Sequence, residues 1–112
     1  MKHRLVLIGF GTVGQGLAEI LLKRELELEA VSGVRFVVVA VSDLLKGSVY
    51  HPDGLDLAEL LDLARTGQRL DAYADRSGVV KGWDSLSTIV AAQADTVVEV
   101  SWTDVQTGQP AI

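Results

Sequence analysis

The stretch over residues 5–16, LVLIGFGTVGQG, constrains the fold of this 112-residue chain more than any other. Four apolar residues run directly into three closely spaced glycines, and apolar residues near helical spacing follow at once. This pattern predicts a buried strand, a tight turn and a helix. A GxGxxG spacing between a strand and a helix is typical of turns that hold a dinucleotide.

Each glycine has its own physical role in such a turn. Gly9 permits the sharp exit from the strand, and Gly11 has no side chain to hold a pyrophosphate away from the backbone. Gly14 lets the helix lie close to the strand. The N–H groups of the first helical turn would face the phosphates, where the helix dipole also favours negative charge. We therefore predict a dinucleotide site, with a purely structural turn as the alternative.

The rest of the chain continues as alternating strands and helices. Residues 34–42 form a β-branched run with few polar positions, which is typical of a parallel strand covered on both faces. A helix is predicted over residues 14–28, a loop over 43–54, a second helix from 55 to a stop at Gly67, short strands near 71–74 and 79–81, a short helix after residue 84, and a strand over 96–101. The predicted fold class is α/β, a Rossmann-type doubly wound parallel sheet in three layers, truncated after about four strands. Residues 1–112 are expected to form one dinucleotide-binding domain.

An acidic residue at the end of the second strand normally binds the adenosine ribose hydroxyls, and Asp43 is the candidate. Asp43 would favour NAD by repelling a 2′-phosphate, whereas Lys46 and Arg35 could attract one. The cofactor is therefore predicted as NAD or NADP without a choice between them. The alternative for Asp43 is a solvated loop carboxylate.

The last predicted strand should lie beside the first, with its carboxyl end facing the glycines. Ser101 and Thr103 would then reach the ligand crevice, where their hydroxyls could bind the nicotinamide side of a dinucleotide or a substrate. Hydroxyls at strand ends are also common without any function.

Composition narrows the classes of partner. The net charge of −5 and the pI of 4.8 argue against nucleic acid, which is bound by clustered Lys and Arg. The absence of cysteine and the isolation of the two histidines exclude a thiol nucleophile and predict no metal site. The apolar run behind the charged start is too short for a signal peptide or a membrane span, so a cytoplasmic location is expected. Because no nucleophile has a base within reach by motif, we name no catalytic residue.

Three longer blocks resemble the N-terminal cofactor domain of homoserine dehydrogenase: GFGTVGQGLAEIL, then VAVSD followed by KGSVYHPDGLDLAELL, and ADTVVEVSWTDVQTGQPA. The resemblance extends over nearly the whole chain, and its later blocks are more specific than the glycine motif. The resemblance implies NAD(P)-dependent interconversion of L-homoserine and L-aspartate 4-semialdehyde, on the way to threonine and methionine. It also implies that Asp43 lies near the adenosine ribose, that Ser101 and Thr103 approach the nicotinamide, and that the pyrophosphate is wrapped by Phe10, Gly11, Thr12 and Val13.

Two departures from the family limit what the resemblance implies. Trp102 stands where many relatives have a small residue or proline. The chain also stops before the family's lysine-bearing segment and its substrate and dimerisation domain. We therefore expect an inactive fragment whose catalytic residues, substrate and homo-oligomeric partners belong with the missing part. The alternatives are a stand-alone nucleotide-sensing module without catalysis and the cofactor domain of another amino-acid dehydrogenase.

Overall fold

The computed structural model describes residues 2–100, 103–104 and 109–110, with the backbone only for residues 85, 86, 90 and those beyond 100. Its strands are β1 (Lys2–Ile8), β2 (Arg35–Asp43), β3 (Gly47–Tyr50), β4 (Val80–Lys81), β5 (Thr96–Glu99), β6 (Thr103–Asp104) and β7 (Gln109–Pro110). Its α-helices are α1 (Thr12–Lys23), α2 (Glu25–Ser32), α3 (Leu57–Arg65) and α4 (Ser85–Ala92), and a 3₁₀ helix spans Leu70–Ala72. None of the helices in this described part of the chain has the length and hydrophobicity that crossing a membrane requires.

Five strands form one sheet in the order β4-β3-β2-β1-β5. β1 lies at the parallel centre, with β2 on one side and β5 on the other. The predicted position of the last strand beside the first is therefore confirmed, as is the α/β, Rossmann-type fold class. β5 is one of the two edge strands and is mostly exposed. β6 and β7 pair with each other, antiparallel, outside this sheet.

The sheet is mixed, because β2, β3 and β4 pair antiparallel. The prediction of a loop over residues 43–54 was wrong, since β3 lies within this range. A three-residue turn separates Asp43 from its register partner Gly47, whose φ of +92° is the left-handed conformation that such a turn requires. The Asp43 carboxylate also accepts the Leu45 and Lys46 N–H groups and so closes the turn. The strand predicted near 71–74 is not formed, since residues 71–72 belong to the 3₁₀ helix and residues 73–74 are irregular.

The first helical region is two helices rather than the single one predicted over residues 14–28. α1 ends at Lys23, and α2 begins after Arg24, whose φ of −110° and ψ of 17° interrupt the helix. None of the residues of α2 is buried, and the helix is tied to the sheet through an ion pair between Glu25 and Arg35, 2.8 Å apart. Gly33 ends it in the left-handed conformation.

Helices cover both faces of the central strands, which confirms three layers. Leu7 of β1 packs with residues of α1 and α3 on one face, and Val6 packs with Ala92 of α4 on the other. The register of β1 and β2 shifts between Leu5 and Val6, where β2 bulges. The bulge places the successive residues Val39 and Ala40 in the same cluster as Val6.

Candidate functional site

The loop between β1 and α1, which we call the glycine loop (residues 9–14), begins where the chain is bonded to both parallel neighbours of β1. The Gly9 N–H donates to the Ser42 carbonyl of β2 at 2.7 Å, and the Val100 N–H beyond β5 donates to the Ile8 carbonyl at 2.8 Å. Gly9 itself has a φ of +101°, which glycine adopts without strain. The loop therefore lies at the carboxyl ends of the parallel strands, where open α/β sheets bind ligands.

Gly14 and Gly11 differ in what a side chain would meet. A Cβ on Gly14 would lie 2.6 Å from the Gly9 carbonyl oxygen and 3.2 Å from Val100 Cγ2, so only glycine lets α1 approach this closely. A Cβ on Gly11 would meet no described atom within 4 Å beyond its own neighbours and helix. Gly14 is thus needed for packing, and Gly11 keeps open the space in front of the helix. This is the division of roles that the sequence predicts for a pyrophosphate cradle.

The amino end of α1 carries no side-chain cap, unlike those of α3 and α4. Asp56 accepts the Glu59 N–H at the start of α3, and Asp84 accepts the Ser87 N–H at the start of α4. The N-cap residue of α1 is Gly11, which has no side chain to accept, and the first turn of the helix contains no acidic residue. The first-turn N–H groups, with the positive end of the helix dipole, can therefore bind an anion in front of the loop.

Asp43 lies at this site, but three backbone N–H groups already hold its carboxylate. Oδ2 accepts the Phe10 N–H at 2.7 Å, and Oδ1 accepts the Leu45 and Lys46 N–H groups at 2.9 Å each. Partial burial works against ionisation, but these donors and the Lys46 ammonium outweigh it and hold the pKa of the carboxyl below its usual value of 3.8. The solvated loop carboxylate considered as an alternative does not describe this residue.

The other predicted loop residues divide into one buried and two exposed side chains. The Phe10 ring is fully buried in the core, so this side chain cannot wrap a pyrophosphate, and its N–H is given to Asp43. Its backbone is held at the carbonyl as well, which accepts from Gln15 Nε2 at 2.9 Å. Thr12 is exposed and Val13 is 68% exposed, so both are accessible to a ligand.

The predicted nicotinamide residues are only partly described. Ser101 lies outside the described residues. Thr103 lies in β6, where only the backbone is described. The described chain reaches Val100, whose side chain is next to Gly14, so β5 does deliver the chain to the glycine loop.

Sequence reasoning missed the backbone partners of Asp43 and the support from Gln15. The signal for the former was present in DLLKG, since an aspartate that precedes a turn and a glycine four positions later is typical of a side chain that closes a hairpin. No comparable signal marks Gln15.

A cavity of about 490 Å³ lies at the opposite end of the parallel strands from the glycine loop. Its lining includes Lys2 and Arg35, which begin β1 and β2, and Leu22 near the end of α1. The cavity therefore belongs to the amino ends of the strands and is separate from the glycine loop.

A sequence model of the family described as Glutamate/Leucine/Phenylalanine/Valine dehydrogenase matches residues 1–105. The match spans the parallel strands and the glycine loop, and the chain belongs to this family. The expected resemblance to homoserine dehydrogenase is also confirmed. A homoserine dehydrogenase of Methanocaldococcus jannaschii is 30% identical over 107 residues, which are 96% of this chain and 30% of that protein. An NAD(+)-dependent homoserine dehydrogenase of Pseudomonas canavaninivorans is 32% identical over 110 residues, covering 98% of this chain and 30% of that protein.

The chain is also similar to a solved structure of a homoserine dehydrogenase. A hyperthermophilic archaeal homoserine dehydrogenase in complex with NADPH superimposes with a TM-score of 0.74 at 25% identity, over 92% of this chain and 30% of the other. The chain thus spans about 30% of the length of the relatives that it matches.

Proposed function

We propose that this chain binds NAD or NADP in the crevice between the ends of β2 and β5, with the pyrophosphate in front of the first turn of α1. The observation that carries the proposal is the uncapped amino end of α1 behind Gly11, beside which the described structure leaves open space. The names of the relatives support the same ligand, since one is NAD(+)-dependent and another was solved with NADPH.

The residues have distinct roles in this proposal. Gly9 and Gly14 give the loop its shape, and Gly11 leaves room for the phosphates. Thr12 and Val13 offer their N–H groups and exposed side chains to the ligand. Phe10 contributes by anchoring the loop in the core rather than by contact, and Asp43 lies beside the adenosine ribose. Ser101 and Thr103 stay predicted neighbours of the nicotinamide.

We further propose that residues 1–112 are the cofactor domain of a homoserine dehydrogenase that acts as part of a longer polypeptide. The lengths of the relatives support this, because the chain spans about 30% of them. The bound dinucleotide would supply hydride transfer between its nicotinamide and the carbon shared by L-homoserine and L-aspartate 4-semialdehyde. The residues of this chain would bind and orient the dinucleotide, and the substrate and dimerisation regions would supply the catalytic groups. A cytoplasmic location stays a prediction.

The family description favours a second candidate, the cofactor domain of a dehydrogenase that acts on glutamate, leucine, phenylalanine or valine. The two candidates differ in the substrate oxidised, so assays of the full-length protein with homoserine and with those four amino acids separate them. Turnover of homoserine alone would support the first candidate, and turnover of one of the four amino acids alone would support the second. A stand-alone sensing module would bind the dinucleotide and turn over none of these substrates.

Calorimetric titration of the 112-residue chain with NAD and, separately, with NADP tests the binding proposal. Gly11→Val should abolish binding, because the branched side chain fills the space left for the phosphates. Gly16→Val is the matched control, since a Cβ there also meets no described atom within 4 Å but lies one turn further along α1. Far-UV circular dichroism verifies that both variants are folded. Binding that survives Gly11→Val would overturn the assignment.

A further inference from the structure

We propose that Asp43 is a positioning residue, which holds the glycine loop against the β2–β3 turn so that the loop is preformed for a diphosphate. This inference rests on the proposed dinucleotide function and deepens it. An acidic residue at this point of the fold is ordinarily interpreted as a ribose ligand. The contacts of Asp43 indicate a second role, which affects the phosphates rather than the sugar.

The hydrogen-bonding sites of the Asp43 carboxylate are mostly occupied. An ionised carboxyl group has about four lone-pair sites, two on each oxygen. Oδ1 uses both for the Leu45 and Lys46 N–H groups, and Oδ2 uses one for the Phe10 N–H. One site on Oδ2 is left by these three bonds. A clasp of both ribose hydroxyls by the two carboxylate oxygens would therefore have to break a bond that closes the turn.

The bond from the Phe10 N–H to Asp43 controls the conformation of the glycine loop. Phe10 stands between Gly9 and Gly11, where the backbone has the widest conformational freedom. It is held at three points: the buried ring, the carbonyl that accepts from Gln15, and the N–H that donates to Asp43. Because the next residues carry the N–H groups that face the ligand, fixing Phe10 fixes their direction. A loop ordered in advance binds more tightly, since less conformational freedom is lost on binding.

Asp43 also joins two segments that no regular sheet pairing joins. The glycine loop follows β1, and residues 44–46 form the turn after β2. Charge-assisted hydrogen bonds from a carboxylate to N–H groups are stronger than neutral ones. Removing the carboxylate should therefore loosen the loop, while the main contacts of β1 with β2 and β5 remain.

Two ligands that differ only in the ribose hydroxyls separate this role from ribose binding. ADP has both ribose hydroxyls and a diphosphate, and 2′,3′-dideoxy-ADP retains the adenine and the diphosphate but lacks both hydroxyls. We expect Asp43→Ala to weaken both ligands by a similar factor of about ten, the order expected for a lost charge-assisted hydrogen bond. Asp43→Asn retains one oxygen acceptor and should have a smaller effect. Asp84→Ala is the matched control, since this aspartate also accepts a backbone N–H but caps α4 away from the site, and both affinities should stay at the wild-type value.

A different response of the two ligands would overturn this role of Asp43. If Asp43→Ala weakens ADP and leaves the affinity for dideoxy-ADP unchanged, Asp43 acts through the ribose and the inference is overturned, although the proposed function stands. If the wild-type chain binds neither ligand nor NAD, the proposed function itself fails.

A measurement on the wild-type chain covers the case in which Asp43→Ala does not fold. The amide proton resonance of Phe10, followed by NMR, should shift as the pH is lowered through the pKa of the carboxyl, and the Leu45 and Lys46 amides should titrate with it. A Phe10 amide that does not respond to pH would overturn the contact on which the inference depends.

Discussion

Gly14→Ala tests how closely α1 lies against the glycine loop. The added Cβ would be 2.6 Å from the Gly9 carbonyl oxygen and 3.2 Å from Val100 Cγ2. The first contact is with backbone, which cannot rotate away, so the helix and the loop must separate. Overpacking of this kind costs about 1–3 kcal/mol, whereas alanine gains at most about 1 kcal/mol over glycine inside a helix. We therefore expect a net loss of up to about 2 kcal/mol in the free energy of unfolding.

The assay is urea unfolding followed by far-UV circular dichroism, supported by a thermal scan. Each kcal/mol lost should lower Tm by about 4–8 °C for a domain of this size. Gly16→Ala is the control, because it makes the same change in the same helix where a Cβ meets no described atom within 4 Å. Gly16→Ala should raise the free energy of unfolding by about 0.5–1 kcal/mol. If Gly14→Ala also unfolds at or above the wild-type urea concentration, the close approach of helix and loop is refuted.

Three further predictions concern charged groups. Glu59→Gln should lower stability at neutral pH by about 1–2 kcal/mol, since the carboxylate accepts the Ala74 N–H at 2.7 Å. That bond, opposed in part by burial, holds the pKa of Glu59 below 4.5, so its contribution is present above pH 4.5 and lost as the pH falls through the lowered pKa; a variant whose acid unfolding is as steep as that of the wild type would contradict this. Arg4→Met should lower the free energy of unfolding in urea by about 1–3 kcal/mol, because the half-buried guanidinium donates to the carbonyls of Ala92 and Pro52. An unchanged unfolding midpoint would contradict this prediction. Gly11→Asp should change stability by only a few tenths of a kcal/mol, since both residues are accepted helix caps, but it should abolish dinucleotide binding in calorimetry; retained affinity would argue against an anion site.

The parallel centre of the fold could be predicted because its signals are local. The apolar run of β1, the glycines behind it and the β-branched run of β2 each fix a conformation within a few residues. The position of β5 then follows from the handedness of parallel connections, which leaves few arrangements. The caps that Asp56 and Asp84 give to α3 and α4 are equally local, since a cap depends only on the residues that follow it.

The antiparallel edge is not predicted by hydrophobic periodicity, although DLLKG marks its turn. β3 is four residues long and is surrounded by turn formers, so no periodicity marks it. Its place is decided by pairing with β2 through Gly47. Phe10 shows the same limit at the site, since one residue between two glycines has no pattern that tells whether its side chain faces the core or the ligand. Only the assembled structure places the ring inside.

The way the helices begin connects stability to the proposed function. A capping side chain stabilises a helix by about 1 kcal/mol relative to alanine and by only a few tenths relative to glycine, in a domain whose net stability is of the order of 5–15 kcal/mol. α3 and α4 have this contribution from Asp56 and Asp84, whereas α1 begins behind Gly11 and lacks it. Asp43, which contacts the glycine loop, accepts the N–H of Phe10. The carboxylate therefore orders the loop without competing for the helical N–H groups, and these stay available to an anionic ligand that would take the place of the missing cap.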